Sequence, residues 1–134
     1  MANSLIEAAI LARSHAIAPY TGFTVGAALE TAGGRVFTGC NIENASLGLT
    51  VCAERVALWK ALSEGERAFS RIAVASDAES PVTPCGSCRQ LLWEYCGDIQ
   101  VLMSSARGIT RTAGLAELLP QPFDRNYFST GRSH

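Results

Sequence analysis

The stretch RIAVASDAESPVTPCGSCRQLLWEYCGDIQVLMSS, residues 71–105, decides how the fold is read. It opens with a short apolar run, RIAVAS, that shows no clean alternation, as expected of a strand buried on both faces. It closes with a second such run, IQVLMSS. Between them, SPVTP reads as a loop and GSCRQLLWEYC as a helix that stops near Gly97. Strands buried on both sides need helices above and below them.

Working outward, the segment VCAERVALWKALSEG is a helix of good formers closed by Gly65 as C-cap. Ahead of it, TGFTVGAALETAGGRVFTGCNIE reads as two strands, Thr24–Glu30 and Arg35–Asn41, with a turn at Gly33-Gly34. A loop, ENASLGLT, joins them to the helix. At the start of the chain, Asn3 or Ser4 is placed to cap a first helix. Its buried stripe would be Leu5, Ile6, Ala9, Ile10 and Ile17, and Ala18-Pro19 would end it. Beyond residue 105, GITRTA reads as a last strand and LAELLP as a short last helix. The tail QPFDRNYFSTGRSH reads as loosely structured. This order predicts an α/β protein with helices on both faces of a mixed sheet. With 134 residues, one domain is expected.

The composition is 48% hydrophobic and 17% charged, that of a globular chain. No apolar run reaches the roughly 18 residues of a membrane span. The N-terminus does not read as a signal peptide, because Glu7 interrupts the apolar stretch and Arg13 and His15 follow. A cytoplasmic location is expected. The net charge is −1, and lysines and arginines are scattered. Polynucleotide binders draw affinity from a basic face. Free small molecules are the expected ligands, not a nucleic acid polymer.

The five cysteines are Cys40, Cys52, Cys85, Cys88 and Cys96, against only two histidines. Without a secretory signal, such cysteines suggest metal ligands, catalytic groups or small core residues rather than disulfides. Cys52 opens one helix, and Cys85 and Cys88 open another. A helix N-terminus stabilises thiolates. Three thiolates at two helix starts form a soft cradle for zinc with one position left open. The alternatives are a closed structural site completed by Cys40 or Cys96, and a redox pair made of Cys85 and Cys88. Glu54, in the same first turn as Cys52, can approach a zinc-bound water without ligating the metal, as a proton shuttle requires. Taken alone, it reads rather as a surface acid favoured by the helix dipole. Arg55 is suited to offset the excess negative charge of three thiolates around one divalent ion, with Arg89 as its support or substitute.

C-A-E followed about thirty residues later by P-C-x-x-C is the zinc deaminase signature, with cysteine in place of the histidine ligand. The sequence closely resembles the small, homotetrameric cytidine deaminases over roughly residues 5–123. The matching blocks are APYTGFTVGAAL, TGCNIENAS, VCAERVALWKALSEGE, SPVTPCGSCRQ and AELLPQPF. The resemblance implies a three-layer α/β/α sandwich with a mostly five-stranded mixed sheet, spanning residues 1–134 as one domain with a tail at 124–134. It implies one zinc per subunit, held by Cys52, Cys85 and Cys88, and Glu54 as catalytic acid and base. Asn41 and Glu43 are implied to bind the ribose hydroxyls. Ala53 is implied to contact the pyrimidine through its backbone, and Phe23 to pack on the base. Phe123 is implied to reach a neighbouring subunit's site, and Arg55 to neutralise the thiolates in part. From spacing alone, Asn41 and Glu43 would read as a turn and a surface acid, and the two phenylalanines as core. Leu47 departs from the family, which usually carries an aromatic there, and bears on substrate preference across the subunit interface. The activity implied is hydrolysis of cytidine and 2'-deoxycytidine to uridine and 2'-deoxyuridine with release of ammonia, in pyrimidine salvage.

Overall fold

The computed structural model describes residues 2–129. In chain order the elements are α1 (Ala2–Arg13), β1 (Val25–Thr31), β2 (Val36–Cys40), α2 (Ala53–Ser63), β3 (Phe69–Ser76), α3 (Gly86–Cys96), β4 (Gln100–Ser104), β5 (Thr110–Gly114), α4 (Leu115–Leu118) and α5 (Asn126–Ser129). A 3-10 turn at Leu47–Leu49 interrupts the loop before α2.

The strands form one sheet in the order β2-β1-β3-β4-β5. β3 and β4 are parallel, joined through α3, and every other pair is antiparallel. Alternation along the strands sorts the side chains into two cores. Ala27, Leu29, Ile72, Val74, Val101 and Met103 pack with α2, α3 and α4. Ala28, Ala73, Ala75 and Leu102 pack with Leu5 and Ala9 of α1. The result is the expected α/β/α sandwich on a mixed five-stranded sheet. No helix among the described residues is long and apolar enough to cross a membrane.

Two glycines let the helices come down onto the sheet. A Cβ at Gly26 would stand 2.0 Å from the Ala9 carbonyl oxygen of α1. One at Gly39 would stand 2.5 Å from the Ala53 oxygen and 2.7 Å from the Ala57 nitrogen of α2. The start of α2 is thus seated directly over β2.

The ends of the chain differ from the sequence reading. α1 already includes Asn3 and Ser4, so neither is its cap. It ends at Arg13, well before Pro19, because Ile17 leaves to pair with Ile42 as an isolated bridge. Ile10 and Ile17 are exposed, so the buried stripe is Leu5, Ala9 and Ala12, with Ile6 partly covered. The segment 121–129 is not loose: it lies against α3 and ends in the short α5. The rest of the expected tail, 130–134, lies outside the described residues.

Candidate active site

The site follows from strand direction. β2 and β3 are both antiparallel to β1, so both run out at the same edge of the sheet. The helices that follow them, α2 and α3, therefore start at that edge. Cys52 is the N-cap of α2 and Cys85 the N-cap of α3, both in extended backbone conformation. Cys88 lies one turn into α3 and is fully buried.

The sulfurs of Cys52, Cys85 and Cys88 all lie within 4.8 Å of one another, and those of Cys52 and Cys85 are 3.7 Å apart. For zinc–sulfur bonds of about 2.3 Å, the edge of a tetrahedron is roughly 3.8 Å. The spacing and the soft donors fit a zinc ion. Cys40 and Cys96 are not in the cluster. Burial pushes both of those thiols up, Cys96 to about 12. The Cys52 thiol is lowered to about 5, first by its hydrogen bond with Cys88, then by Cys85 and the Arg55 charge, against the opposing effect of burial. The Cys88 thiol is raised, first by the same contact with Cys52 and then by burial. The Cys52 thiol is thus the one of this pair that gives up its proton readily, and a thiolate is the form that binds a metal.

Glu54 stands in the first turn of α2 and is only 4% exposed. Burial raises its carboxyl to about 7 and the nearby Cys52 adds to this, against its own backbone N–H and Arg55. Arg55 donates from Nη2 to the Thr50 carbonyl at 2.9 Å and lies 5.6 Å over the Trp59 ring. Its Nε is buried without a hydrogen-bond partner. Arg89 instead turns one arm to the Leu118 carbonyl at 2.6 Å.

A cavity of about 320 Å³ opens onto the cluster, lined by Cys52, Cys85, Glu54, Phe23, Asn41 and Ala53, together with valines and threonines. A mostly apolar cleft with a few convergent polar groups is the usual form of a small-molecule site. Asn41 is nearly buried. Its Oδ1 accepts from the Val25 N–H at 2.8 Å and its Nδ2 donates to the Phe23 carbonyl at 2.7 Å. That leaves one N–H and one lone pair for a ligand. Glu43 does not line this cavity. It accepts from the backbone N–H groups of Tyr20 and Thr21 and from the Thr21 hydroxyl, which lowers its pKa and fixes the turn that carries Phe23. Phe123 is also outside the lining and 58% exposed. Its ring stacks on Tyr127 at 5.3 Å.

Sequence reasoning did not single out Val25, Thr50, Val51, Val74, Val82 and Thr83, which complete the wall. Val82 and Thr83 stood next to the P-C-G-S-C block, and that adjacency was the available signal. Val25 and Val74 look like any sheet residue until the sheet edge is known.

Comparison with known proteins accords with this geometry. Residues 1–104 match the family model described as the cytidine and deoxycytidylate deaminase zinc-binding region. A cytidine deaminase from Halalkalibacterium halodurans is 51% identical over 120 residues, covering 89% of this chain and 91% of that protein. One from Sporosarcina psychrophila is 44% identical over 128 residues, covering 95% and 94%. The crystal structure of a cytidine deaminase from Burkholderia pseudomallei, 47% identical, superimposes with a TM-score of 0.88 over 92% of this chain and 99% of that one. A family model spanning most of the chain, and relatives this similar over nearly their whole length, lead to one conclusion: the chain belongs to the cytidine deaminase family of zinc-site hydrolases.

Proposed function

We propose that the protein hydrolyses free cytidine and 2'-deoxycytidine to uridine and 2'-deoxyuridine, releasing ammonia, with one zinc per subunit and as a homotetramer. The observation that carries this is a buried carboxylic acid, Glu54, in the same cavity as a three-thiol cluster. A fourth cysteine would suggest a closed structural site, and a dithiol alone a redox pair. Here the third thiol comes from a different helix and no fourth joins it.

Cys52, Cys85 and Cys88 would hold the ion. Bound there, zinc supplies a Lewis acid that makes water nucleophilic near neutral pH. Glu54 takes the proton of the attacking water and delivers it to N3 of the cytosine ring, which leaves C4 electrophilic. As the C4–N bond breaks, Glu54 takes the second proton, from the new C4 hydroxyl, and passes it to the exocyclic nitrogen, and ammonia departs. The product carries a carbonyl at C4. A carboxyl raised to about 7 can work in both directions at neutral pH. The valine-lined wall and the Phe23 ring suit the flat base, the Ala53 backbone its polar edge, and the remaining donor and acceptor of Asn41 the sugar. Glu43 supports the sugar end through the turn it fixes. Phe123 and Leu47, exposed on this chain, are assigned to the neighbouring subunit's site. Supply of uridine from free cytidine places the activity in pyrimidine salvage.

Incubation of zinc-loaded protein with cytidine is expected to yield uridine and ammonia in equal amounts. Glu54→Gln should retain zinc and lose roughly 10²-fold or more in turnover. Turnover near that of the parent in this variant would remove Glu54 from the mechanism.

A further inference from the structure

The helix that opens with the metal-site cysteines also makes a second set of contacts. Arg89 Nη1 donates to the Leu118 carbonyl at 2.6 Å, and Gln90 Nε2 donates to the Phe123 carbonyl. One turn on, Trp93 Nε1 donates to Asp124 Oδ2 at 3.3 Å, and Arg125 Nε donates to Glu94 at 3.1 Å. Positions 89, 90, 93 and 94 share one face of a helix. The segment 118–125 therefore lies along α3 as a strap.

The strap cannot hold itself. A continuing helix would bond the Leu118 carbonyl to the N–H of residue 122, but that residue is Pro122, which has none. Pro120 removes another donor. Between them Gln121 has a φ of 53°, a left-handed conformation that a non-glycine residue keeps only when its surroundings impose it. The fixtures stand on either side, at 118 and at 123. Both come from the two residues directly after Cys88.

We propose that Arg89 and Gln90 are positioning residues for the deaminase site: they tie the 118–123 segment to the metal-ligand turn and so set where the Phe123 ring stands. This rests on the reading above, in which Phe123 joins a nucleoside site. Neither residue lines the cavity, so both act through another residue. Gln90 grips the backbone of Phe123 itself, whose ring stacks on Tyr127 and meets Phe128 edge-on at 5.4 Å.

The test uses the zinc-loaded, full-length protein. Gln90→Glu keeps the shape and loses the donor, and Gln90→Met does the same without adding charge. Each is expected to raise KM for cytidine about five- to tenfold, the worth of one hydrogen bond, with kcat within about twofold. Zinc content should not change, and tryptic cleavage after Arg125 should be faster. In a Phe123→Ala background, Gln90→Glu should shift KM no further. Arg89→Met should behave like the Gln90 variants, and Arg89→Lys, which keeps a donor, should recover most of the loss. Unchanged KM and cleavage in both Gln90 variants would overturn the proposal. So would effects additive with Phe123→Ala, or a loss of zinc and kcat together, which would mean that Gln90 serves the metal turn. If the parent protein itself leaves cytidine unconverted, the nucleoside reading falls instead, and the cleavage rates still decide whether the tie exists.

Discussion

Glu54 and Cys52 stand two positions apart, and their environments push them in opposite directions. The carboxyl is raised to about 7 by burial, while the thiol is lowered to about 5 by its sulfur neighbours and Arg55. At neutral pH this leaves a thiolate ready to bind a metal and a carboxyl that can both give and take a proton. Cys85 contributes differently: its side chain is exposed, and what it offers is one sulfur. Cys85→Ala should therefore cost little packing of its own and much metal affinity. Less than about a tenth of the zinc should remain after dialysis against a mild chelator, with a lower unfolding midpoint only where the parent holds zinc. Full occupancy in the variant, measured by metal analysis, would remove Cys85 from the ligand set.

Among the elements, α2 matters most, because it carries both Cys52 and Glu54 and rests on Gly39 of β2. A methyl group at 39 would meet backbone atoms of Ala53 and Ala57 at 2.5 and 2.7 Å, and backbone cannot step aside as a flexible side chain can. Gly39→Ala should lift the start of α2, costing about 1–3 kcal/mol in denaturant unfolding. It should weaken zinc retention as well. Unaltered stability would mean the helix shifts freely. Strands β1 and β3 carry a separate device. Arg71 grips Glu30 with two hydrogen bonds of 2.8 and 2.9 Å, both side chains four-fifths covered. This pair, helped by Ser70, lowers the Glu30 carboxyl from 4.5 to about 2. A pKa depressed by folding adds stability that is present above 4.5 and lost as pH falls toward about 2. Glu30→Gln should thus cost about 1 kcal/mol at pH 7. The gap to the parent should narrow steadily as unfolding is measured from pH 5 to pH 3. A constant gap over that range would show that the ion pair adds nothing.

Taken whole, the molecule leaves several large apolar side chains uncovered: Leu47 and Leu49 at 71% and Phe123 at 58% exposed, with Tyr20 and Ile17. Leu47 and Leu49 flank one 3-10 turn in the loop that leads into Cys52. With a net charge of −1, little long-range repulsion opposes association. The homotetramer proposed above predicts a sedimenting mass of four chains, and a specific activity that falls on dilution below the dissociation range. A fully active monomer would contradict it.

Much of this was legible in the chain because it is local. Period and punctuation located every strand and the three longer helices to within a few residues, apart from the ends of α1. Helix starts at Cys52 and Cys85 could be read from where good formers follow a loop. The i, i+3 spacing of Cys85 and Cys88 already put two sulfurs on one turn. The convergence of Cys52 with that turn is different in kind. It depends on β2 and β3 both running against β1, so that two helices begin at one sheet edge, and hydrogen-bond pairing between distant strands leaves no mark in local sequence. The end of α1 is another such case: Ile17 fits a helical stripe, yet its pairing with Ile42, distant in the chain, takes it out of the helix. The sugar-binding role of Asn41 and Glu43 comes from the family resemblance; what only the packing shows is that both also bond the turn that carries Phe23. The apparent tail follows the same rule. Pro120 and Pro122 remove its own donors and so make it look structureless, and α3, folded elsewhere, supplies the donors that hold it in place.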